Sequence, residues 1–257
     1  MTDTLIARPP ARLALTSLVR ADALVLLRNR VSTVVSVLLP IVILVATSLG
    51  KNPSRLGTPA TVVGLALTLG LITSCLLGYS LALAHDREIG VLQRLRVSPA
   101  PTWTIMTSRL LVQLVANLVA AVVVLVVGSV LHGLSLGIGP ILLALCCAVL
   151  GAAVFLSMGQ ALVALVPSTS AINAIGRILF IILVLLGMVG ATGLLGDTLQ
   201  SIAGWTPVGA LLTLFADALG AAPWGDQDAY ALIACIGYVV VFSFIGIRWF
   251  RWGTRQL

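Results

Sequence analysis

The chain has 257 residues, of which 60% are hydrophobic and 9% are charged. A soluble domain averages about 45–50% apolar and about 25% charged residues, so this composition excludes a soluble core protein and indicates a chain that mostly faces lipid. The net charge of +7 does not indicate nucleic-acid binding, because the basic residues stand in short clusters between long apolar runs, as at the cytoplasmic edge of a bilayer.

The N-terminal segment is predicted to contain an amphipathic helix lying in the membrane interface. Between Pro9 and Arg28, one side of a helix carries Arg12 and Arg20, and leucines and valines dominate the other side. Asp22 departs from this pattern because it falls on the apolar side. Such a helix is either a membrane anchor alone or also a platform for a cytoplasmic partner, and the pattern is compatible with both.

The rest of the chain is predicted to be an all-α membrane domain of six transmembrane helices, because an apolar run of about 20 residues crosses the hydrocarbon core. Pro40 predicts a kink in the first span, since proline removes a backbone donor. The division is residues 1–30 for the tail and connecting helix and residues 31–257 for the transmembrane domain, with spans at Val31–Leu49, Ala60–Ala84, Trp103–Leu131, Pro140–Val166, Ala171–Leu195 and Tyr230–Phe250.

The basic residues predict that both termini lie in the cytoplasm. With six spans and the N-terminus inside, thirteen of the fifteen basic residues lie at the inner side, and only Lys51 and Arg55 lie outside. A seventh span at 197–216 would place the C-terminal arginines outside, and the same rule disfavours it. Arginine outnumbers lysine 14 to 1, which suggests a GC-rich bacterial genome and therefore a multi-pass protein of the bacterial inner membrane.

The predicted outer segment Gly196–Ala229 differs from the other connections because it is long, acidic and apolar between its acids. Its apolar stretches are too short to cross a bilayer, so they are predicted to be short helices that dip into the outer leaflet or cap the bundle. It contains no basic residue and four aspartates, namely Asp197, Asp217, Asp226 and Asp228.

Several kinds of chemistry have no basis in the sequence. No acidic residue lies within a predicted span, which argues against an ion-coupled secondary carrier. Lys51 is the only lysine and does not stand in a phosphate-binding loop, so this chain has no P-loop site for ATP. No paired catalytic groups or metal-ligand spacing occur in the spans, which predicts a chain that is not an enzyme and binds no metal or cofactor. The cysteines are interpreted as packing residues: Cys75, Cys146, Cys147 and Cys235.

Small and polar residues recur along one side of the second predicted span. Such a stripe suits a close helix contact, a contact with a second subunit, or the wall of a substrate path. Asn173 in the fifth span is a further polar candidate for the same roles. The stripe consists of Thr61, Gly64, Thr68, Cys75 and Gly78.

The connection between the second and third spans is the most informative part of the sequence. Apolar residues at helical spacing form one edge, arginines form another, and Pro99 ends the pattern. A short charged helix at about 85–98 is therefore predicted to contact a partner in the cytosol. Its candidate contact residues are Asp86, Arg87, Glu88, Gly90, Leu92, Arg94, Leu95 and Arg96.

At these residues the sequence resembles the type-2 permeases of ABC transporters, particularly the daunorubicin-resistance-like exporters. That family shows an acidic-basic-acidic cluster, a glycine, a leucine-rich basic stretch and a Ser/Thr-Pro pair before the third span. In this chain the corresponding residues are Asp86-Arg87-Glu88, Gly90, Leu92, Leu95-Arg96 and Ser98-Pro99. The family's segment between the fifth and sixth spans is similar to Trp205-Thr206-Pro207 followed by Ala210.

The resemblance implies a permease subunit of an ATP-driven exporter for an amphiphilic substrate such as a drug, a lipid or a secondary metabolite. Two permease subunits, identical or different, would form the pathway, and two copies of a separate ABC ATPase would use ATP and Mg. The segment at Asp86–Arg96 would be the coupling helix, the N-terminal helix would brace it, and the second and fifth spans would line the path.

The sequence departs from the family pattern at two places. His85 and Gln93 stand where acidic residues are common, and the usual Phe-Pro pair after the fifth span is missing. The alternatives left open are an ion-coupled carrier and a non-catalytic membrane assembly subunit.

Overall fold

A computed structural model describes residues 11–28, 30–49, 57–96, 102–134, 137–192 and 202–249. Within these ranges the regular structure is helical and contains no strand, which confirms the all-α fold class. Lys51 and Arg55 of the predicted orientation, residues 196–201 of the predicted outer segment and the C-terminal residues 250–257 lie outside the described residues.

Nine helices organise the described part of the chain, and a single turn at 202–205 precedes the eighth. The five longest apolar helices correspond to the second to sixth predicted spans and differ from them by a few residues at most ends. The helices are α1 (Ala11–Arg28), α2 (Arg30–Leu49), α3 (Pro59–Glu88), α4 (Val91–Arg96), α5 (Thr102–His132), α6 (Ile138–Leu165), α7 (Thr169–Thr192), α8 (Pro207–Ala218) and α9 (Asp226–Trp249).

Five helices are long and apolar enough to cross a membrane: α3, α5, α6, α7 and α9. The first predicted span lies on α2, where Val37–Leu49 forms a shorter apolar stretch and Pro40 lies inside the helix. The chain is therefore a multi-pass membrane protein by length and composition of its helices. The count of six spans and the inward orientation of both termini stay predictions.

Helix α3 is the centre of the bundle and is buried along most of its length. It begins at Pro59 behind Thr58, whose side chain accepts a hydrogen bond from the Thr61 N–H and caps the helix. From Ile72 to Gly78 the helix widens into a π-helical segment, so that the Tyr79 N–H donates to the Ser74 carbonyl five residues earlier. The hydrophobic pattern gave no signal for this extra residue.

Helix α8 is a 12-residue helix that packs against α3, α6, α7 and α9. It is too short to span a bilayer, and most of its side chains are buried in the bundle. Gly64 of α3 allows this packing, since a Cβ there would lie 3.0 Å from the Cβ of Phe215. The apolar stretch of the predicted outer segment that forms α8 is therefore part of the core.

Candidate functional site

The predicted contact helix at 85–98 is divided in two. Helix α3 continues through Glu88, the chain turns at Ile89 and Gly90, and α4 follows from Val91 to Arg96. Gly90 adopts a φ of +77°, in the left-handed region that favours glycine after a helix end. We call residues 85–96 the inner segment, because the predicted orientation places them at the inner side.

Arg87 is directed into the protein rather than toward solvent, with 2% of its surface exposed. Its guanidinium donates to the Val163 carbonyl at 2.6 Å and to the carbonyls of Val166 and Pro167 at 2.8 Å each. These carbonyls lie at the end of α6, where the carbonyls of the last turn have no N–H donors within the helix and carry negative partial charge. Arg87 therefore caps the C-terminus of α6.

Glu88, the next residue, holds the beginning of the following helix. Its exposed carboxylate accepts a hydrogen bond of 2.8 Å from the Thr169 N–H, at the first residue of α7. A carboxylate is favoured at a helix N-terminus because the free N–H groups there carry positive partial charge. Arg87 and Glu88 together connect the end of α3 to both sides of the short turn between α6 and α7.

Asp86 has a third partner. Its carboxylate pairs with the Arg109 guanidinium of α5 at 2.5 Å. The neighbouring Ser108 hydroxyl donates to the carboxylate of Asp22 on α1. Three consecutive charged residues of α3 thus contact α5, α6 and α7, and α5 in turn contacts α1.

The remaining residues of the inner segment divide between anchors and exposed positions. Leu92 is fully buried and fixes α4 to the bundle, whereas Ile89 is 54% exposed and Gln93 is also exposed. The backbone of Arg94, Leu95 and Arg96 lies in α4, and their side chains are outside the described structure. Ile89 and Gln93 are therefore available to a partner, and Arg87 is not.

The small-residue stripe of α3 lies largely within the chain. Thr68 and Cys75 are fully buried, and the Thr68 hydroxyl donates to the Gly64 carbonyl at 2.8 Å. Gly159 of α6 approaches closely, because a Cβ there would lie 3.0 Å from the Cys75 carbonyl oxygen. The stripe faces α6 and α8 at these positions, while Thr61, Gly78 and Asn173 are half-buried.

A second polar group joins the π-helical segment to α5. The Gln113 amide donates to the Ser74 hydroxyl at 2.9 Å, and the Asn117 amide donates to the Gln113 carbonyl at 2.7 Å. Asn117 also lines a small cavity between α2, α3 and α5 that is otherwise formed by apolar residues. The Gln113–Ser74 bond joins two helices, and such interhelical bonds contribute about 0.6–2 kcal/mol each in membrane proteins.

The aspartates at the start of α9 and the end of α8 are close together. Asp228 is 2% exposed and accepts a hydrogen bond of 2.9 Å from the Gly225 N–H, which caps α9. Burial, together with the nearby Asp228, raises the pKa of the Asp217 carboxyl to about 6. Ionised Asp217 is therefore unfavourable in the folded protein.

Asp217→Asn is expected to stabilise the protein at neutral pH. Because the pKa of Asp217 is higher in the folded protein than its ordinary value of 3.8, the parent loses stability as the pH rises from about 4 to about 6. The gain from the variant should grow over that range and stay constant above it, at about 1 kcal/mol because solvent screens a half-buried carboxyl. Melting temperatures at pH 4.5, 6 and 7.5 measure this. Asp226→Asn, at an exposed aspartate of the same end, is the control, and an equal pH-dependent gain in both variants would contradict the assignment.

The described residues contain no group of three or more His, Cys, Asp or Glu side chains that could hold a metal ion. The four cysteines are free thiols, of which Cys146 is exposed and the others are buried. What the fold does provide is a set of long apolar helices whose ends at one side of the bundle are joined through one charged segment. These features define a multi-pass helical membrane protein in which the inner segment is mechanically connected to the bundle.

The family model described as ABC-2 type transporter matches residues 14–219, well over half of the chain. The chain belongs to the ABC-2 type transporter family, which confirms the resemblance to the type-2 permeases. It is thus a permease component of an ABC transporter, a transport subunit rather than an enzyme. No curated protein matches the chain.

Proposed function

We propose that this permease is the membrane subunit of an ATP-driven exporter of an amphiphilic compound, such as a drug, a lipid or a secondary metabolite, in a bacterial inner membrane. It would cross that membrane six times with both termini inside, and pair with a second permease subunit. Two copies of an ABC ATPase would dock beneath and use ATP and Mg. The resemblance of residues 86–99 to the daunorubicin-resistance-like exporters supports the choice of substrate class.

The observation that carries this proposal is the connection of the inner segment to several spans at once. Arg87 holds the end of α6, Glu88 holds the start of α7, and Asp86 holds α5. A displacement of the inner segment by an ATPase would therefore move the inner ends of four helices together. An ATP-driven transporter needs such a connection, because nucleotide binding must shift the population of pathway states.

The residues proposed to meet the ATPase are the exposed members of the inner segment. Ile89, Gln93 and His85 are exposed, and α4 follows them with Arg94, Leu95 and Arg96. Asp86, Arg87, Gly90 and Leu92 would instead set the position of that surface. The pathway is proposed to run along α3 and α7, near Gly78 and Asn173, with the buried part of the stripe as its supporting wall.

Glu88→Lys is expected to uncouple transport from ATP hydrolysis. The lysine removes the bond to the Thr169 N–H and places positive charge at the positive end of α7. We expect the reconstituted complex to hydrolyse ATP but to move about five-fold less substrate per ATP, as for a lost coupling of about 1 kcal/mol. The measurement is substrate flux divided by phosphate release, in liposomes that contain the permease and its ATPase.

Asp226→Lys is the matched control and should keep parental transport per ATP, since it makes the same charge reversal at an exposed residue in the first turn of α9, outside the inner segment. Reversal of Arg87 would not serve, because Arg87 is buried and its loss would disturb folding. Full transport per ATP in Glu88→Lys would show that the coupling role is wrong. A permease that never copurifies with an ATPase would refute the proposed function itself.

A further inference from the structure

Asp22 on α1, Ser108 and Arg109 on α5, and Asp86 on α3 form a polar bridge across three helices. The Ser108 hydroxyl donates to an Asp22 carboxylate oxygen, and the Arg109 guanidinium donates to an Asp86 carboxylate oxygen at 2.5 Å. Ser108 and Arg109 are consecutive residues of one helix, so their side chains diverge by about 100°. One therefore meets α1 while the other meets the inner segment.

The bridge is shielded enough to hold its partners in place. Ser108 is fully buried, and the side chains of Arg109 and Asp86 are 13% and 28% exposed. Charge pairs in full contact with water contribute little, whereas partly buried pairs are screened less by solvent and salt. A broken pair at this depth would leave a charge with poor solvation, which favours the closed bridge.

The bridge includes α1 because Asp22 of that helix needs polar partners. It is half-buried, and burial raises the pKa of its carboxyl, while the Ser108 hydroxyl and the Arg109 charge act in the opposite direction. A carboxylate on the apolar side of an interfacial helix is unfavourable unless it finds such partners. Helix α1 packs chiefly against α5, and its Leu24 and Val25 are 52% and 67% exposed.

We propose that Ser108 and Arg109 are positioning residues that join α1 to the inner segment, so that α1, the inner end of α5 and residues 85–96 move as one rigid body. This inference rests on the proposed function, because the movement it describes is the one an ATPase would drive. Force applied to either α1 or the inner segment is then shared by both. Movement of the N-terminal helix would therefore also move the spans that the inner segment contacts.

A covalent bond between α1 and α5 tests the rigid-body claim. The pair Asp22→Cys and Ser108→Cys is placed in a background in which the exposed Cys146 is replaced by serine, and is joined with a short bis-methanethiosulfonate reagent. We expect cross-linking to proceed equally with and without nucleotide, and to restore the transport per ATP that the pair loses before it is joined, because the covalent link replaces the Ser108–Asp22 bond. Cross-linking in only one nucleotide state, or a cross-linked complex that does not regain transport, would overturn the proposal.

The charged half of the bridge has its own test. Arg109→Gln should lower transport per ATP about five-fold or more while ATP hydrolysis continues, a loss typical of broken coupling. Arg109→Lys keeps the charge and should retain most transport, and the exchange Asp86→Arg with Arg109→Asp should recover part of it. An Arg109→Gln complex with parental transport per ATP would refute the positioning role.

If the parent complex itself neither binds an ATPase nor transports, the proposed function fails, whereas uniform cross-linking would still support the rigid contact.

Discussion

Arg87→Gln is expected to lower the melting temperature of the purified permease more than any other substitution in the inner segment. The variant loses the charge and leaves the carbonyls of Val163, Val166 and Pro167 without their shared donor. Leaving a buried acceptor without its donor costs about 1–3 kcal/mol, and three carbonyls depend on this one guanidinium. The loss is expected to appear as a lower folded yield and a lower melting temperature in detergent.

Two variants distinguish the specific role of the Arg87 guanidinium from a general effect of mutation. Arg87→Lys keeps the charge but offers a single ammonium in place of a planar fork, so its stability should fall between those of the parent and Arg87→Gln. Gln93→Ala changes an exposed residue of the same segment and should leave the free energy of unfolding within about 0.5 kcal/mol of that of the parent. A parental melting temperature for Arg87→Gln would mean that Arg87 does not hold α6.

Gly209→Ala should be the most damaging single-methyl change in the part of the bundle formed by α8. A Cβ at Gly209 would lie 2.0 Å from the Ala203 carbonyl oxygen and 2.8 Å from its carbon. That oxygen already accepts the N–H and the hydroxyl of Thr206, which in turn caps α8 by accepting the Gly209 N–H. Since the obstacle is backbone, it cannot rotate away, and the expected loss is about 3 kcal/mol, the upper part of the usual range for overpacking.

Gly204→Ala is the matched control for that variant. Gly204 lies five residues earlier in the same connection, and a Cβ there meets no atom within 4 Å. Thermal unfolding followed by tryptophan fluorescence compares the two, and Trp205 in the same turn supplies a nearby probe. Equal melting temperatures in the two variants would contradict the close approach of 202–205 to α8.

The helices followed from the sequence because long apolar runs have one stable arrangement in lipid. Predicted and observed ends agree closely for α6, given as Pro140–Val166 and found as Ile138–Leu165, and for α9, given as Tyr230–Phe250 and found as Asp226–Trp249. Backbone groups must bond within the segment where water is absent, so length and hydropathy suffice to place a helix. They do not register the extra residue of the π-helical segment, which depends on packing.

The contacts of the charged residues could not be derived in the same way. Arg87 binds backbone carbonyls 76 to 80 positions away, and every residue has a carbonyl, so no side-chain pattern signals the partner. From the sequence Arg109 is only one of thirteen basic residues at the inner side, and Asp22 is only a departure from an amphipathic pattern. The positions of both residues are explained by the packing of α1, α3 and α5, because Arg109 then faces the Asp86 carboxylate and Asp22 faces the Ser108 hydroxyl.

The π-helical segment Ile72–Gly78 fixes the rotational phase between the two ends of α3. An α-helix turns by about 100° per residue, so one residue more or less within this segment would rotate everything from Tyr79 to Glu88 around the helix axis by about that angle. Asp86, Arg87 and Glu88 would then point away from α5, α6 and α7. The number of residues in this segment is therefore constrained more tightly than the identity of their side chains. A gene for a working permease can accept codon substitutions in this segment far more readily than the insertion or deletion of one codon.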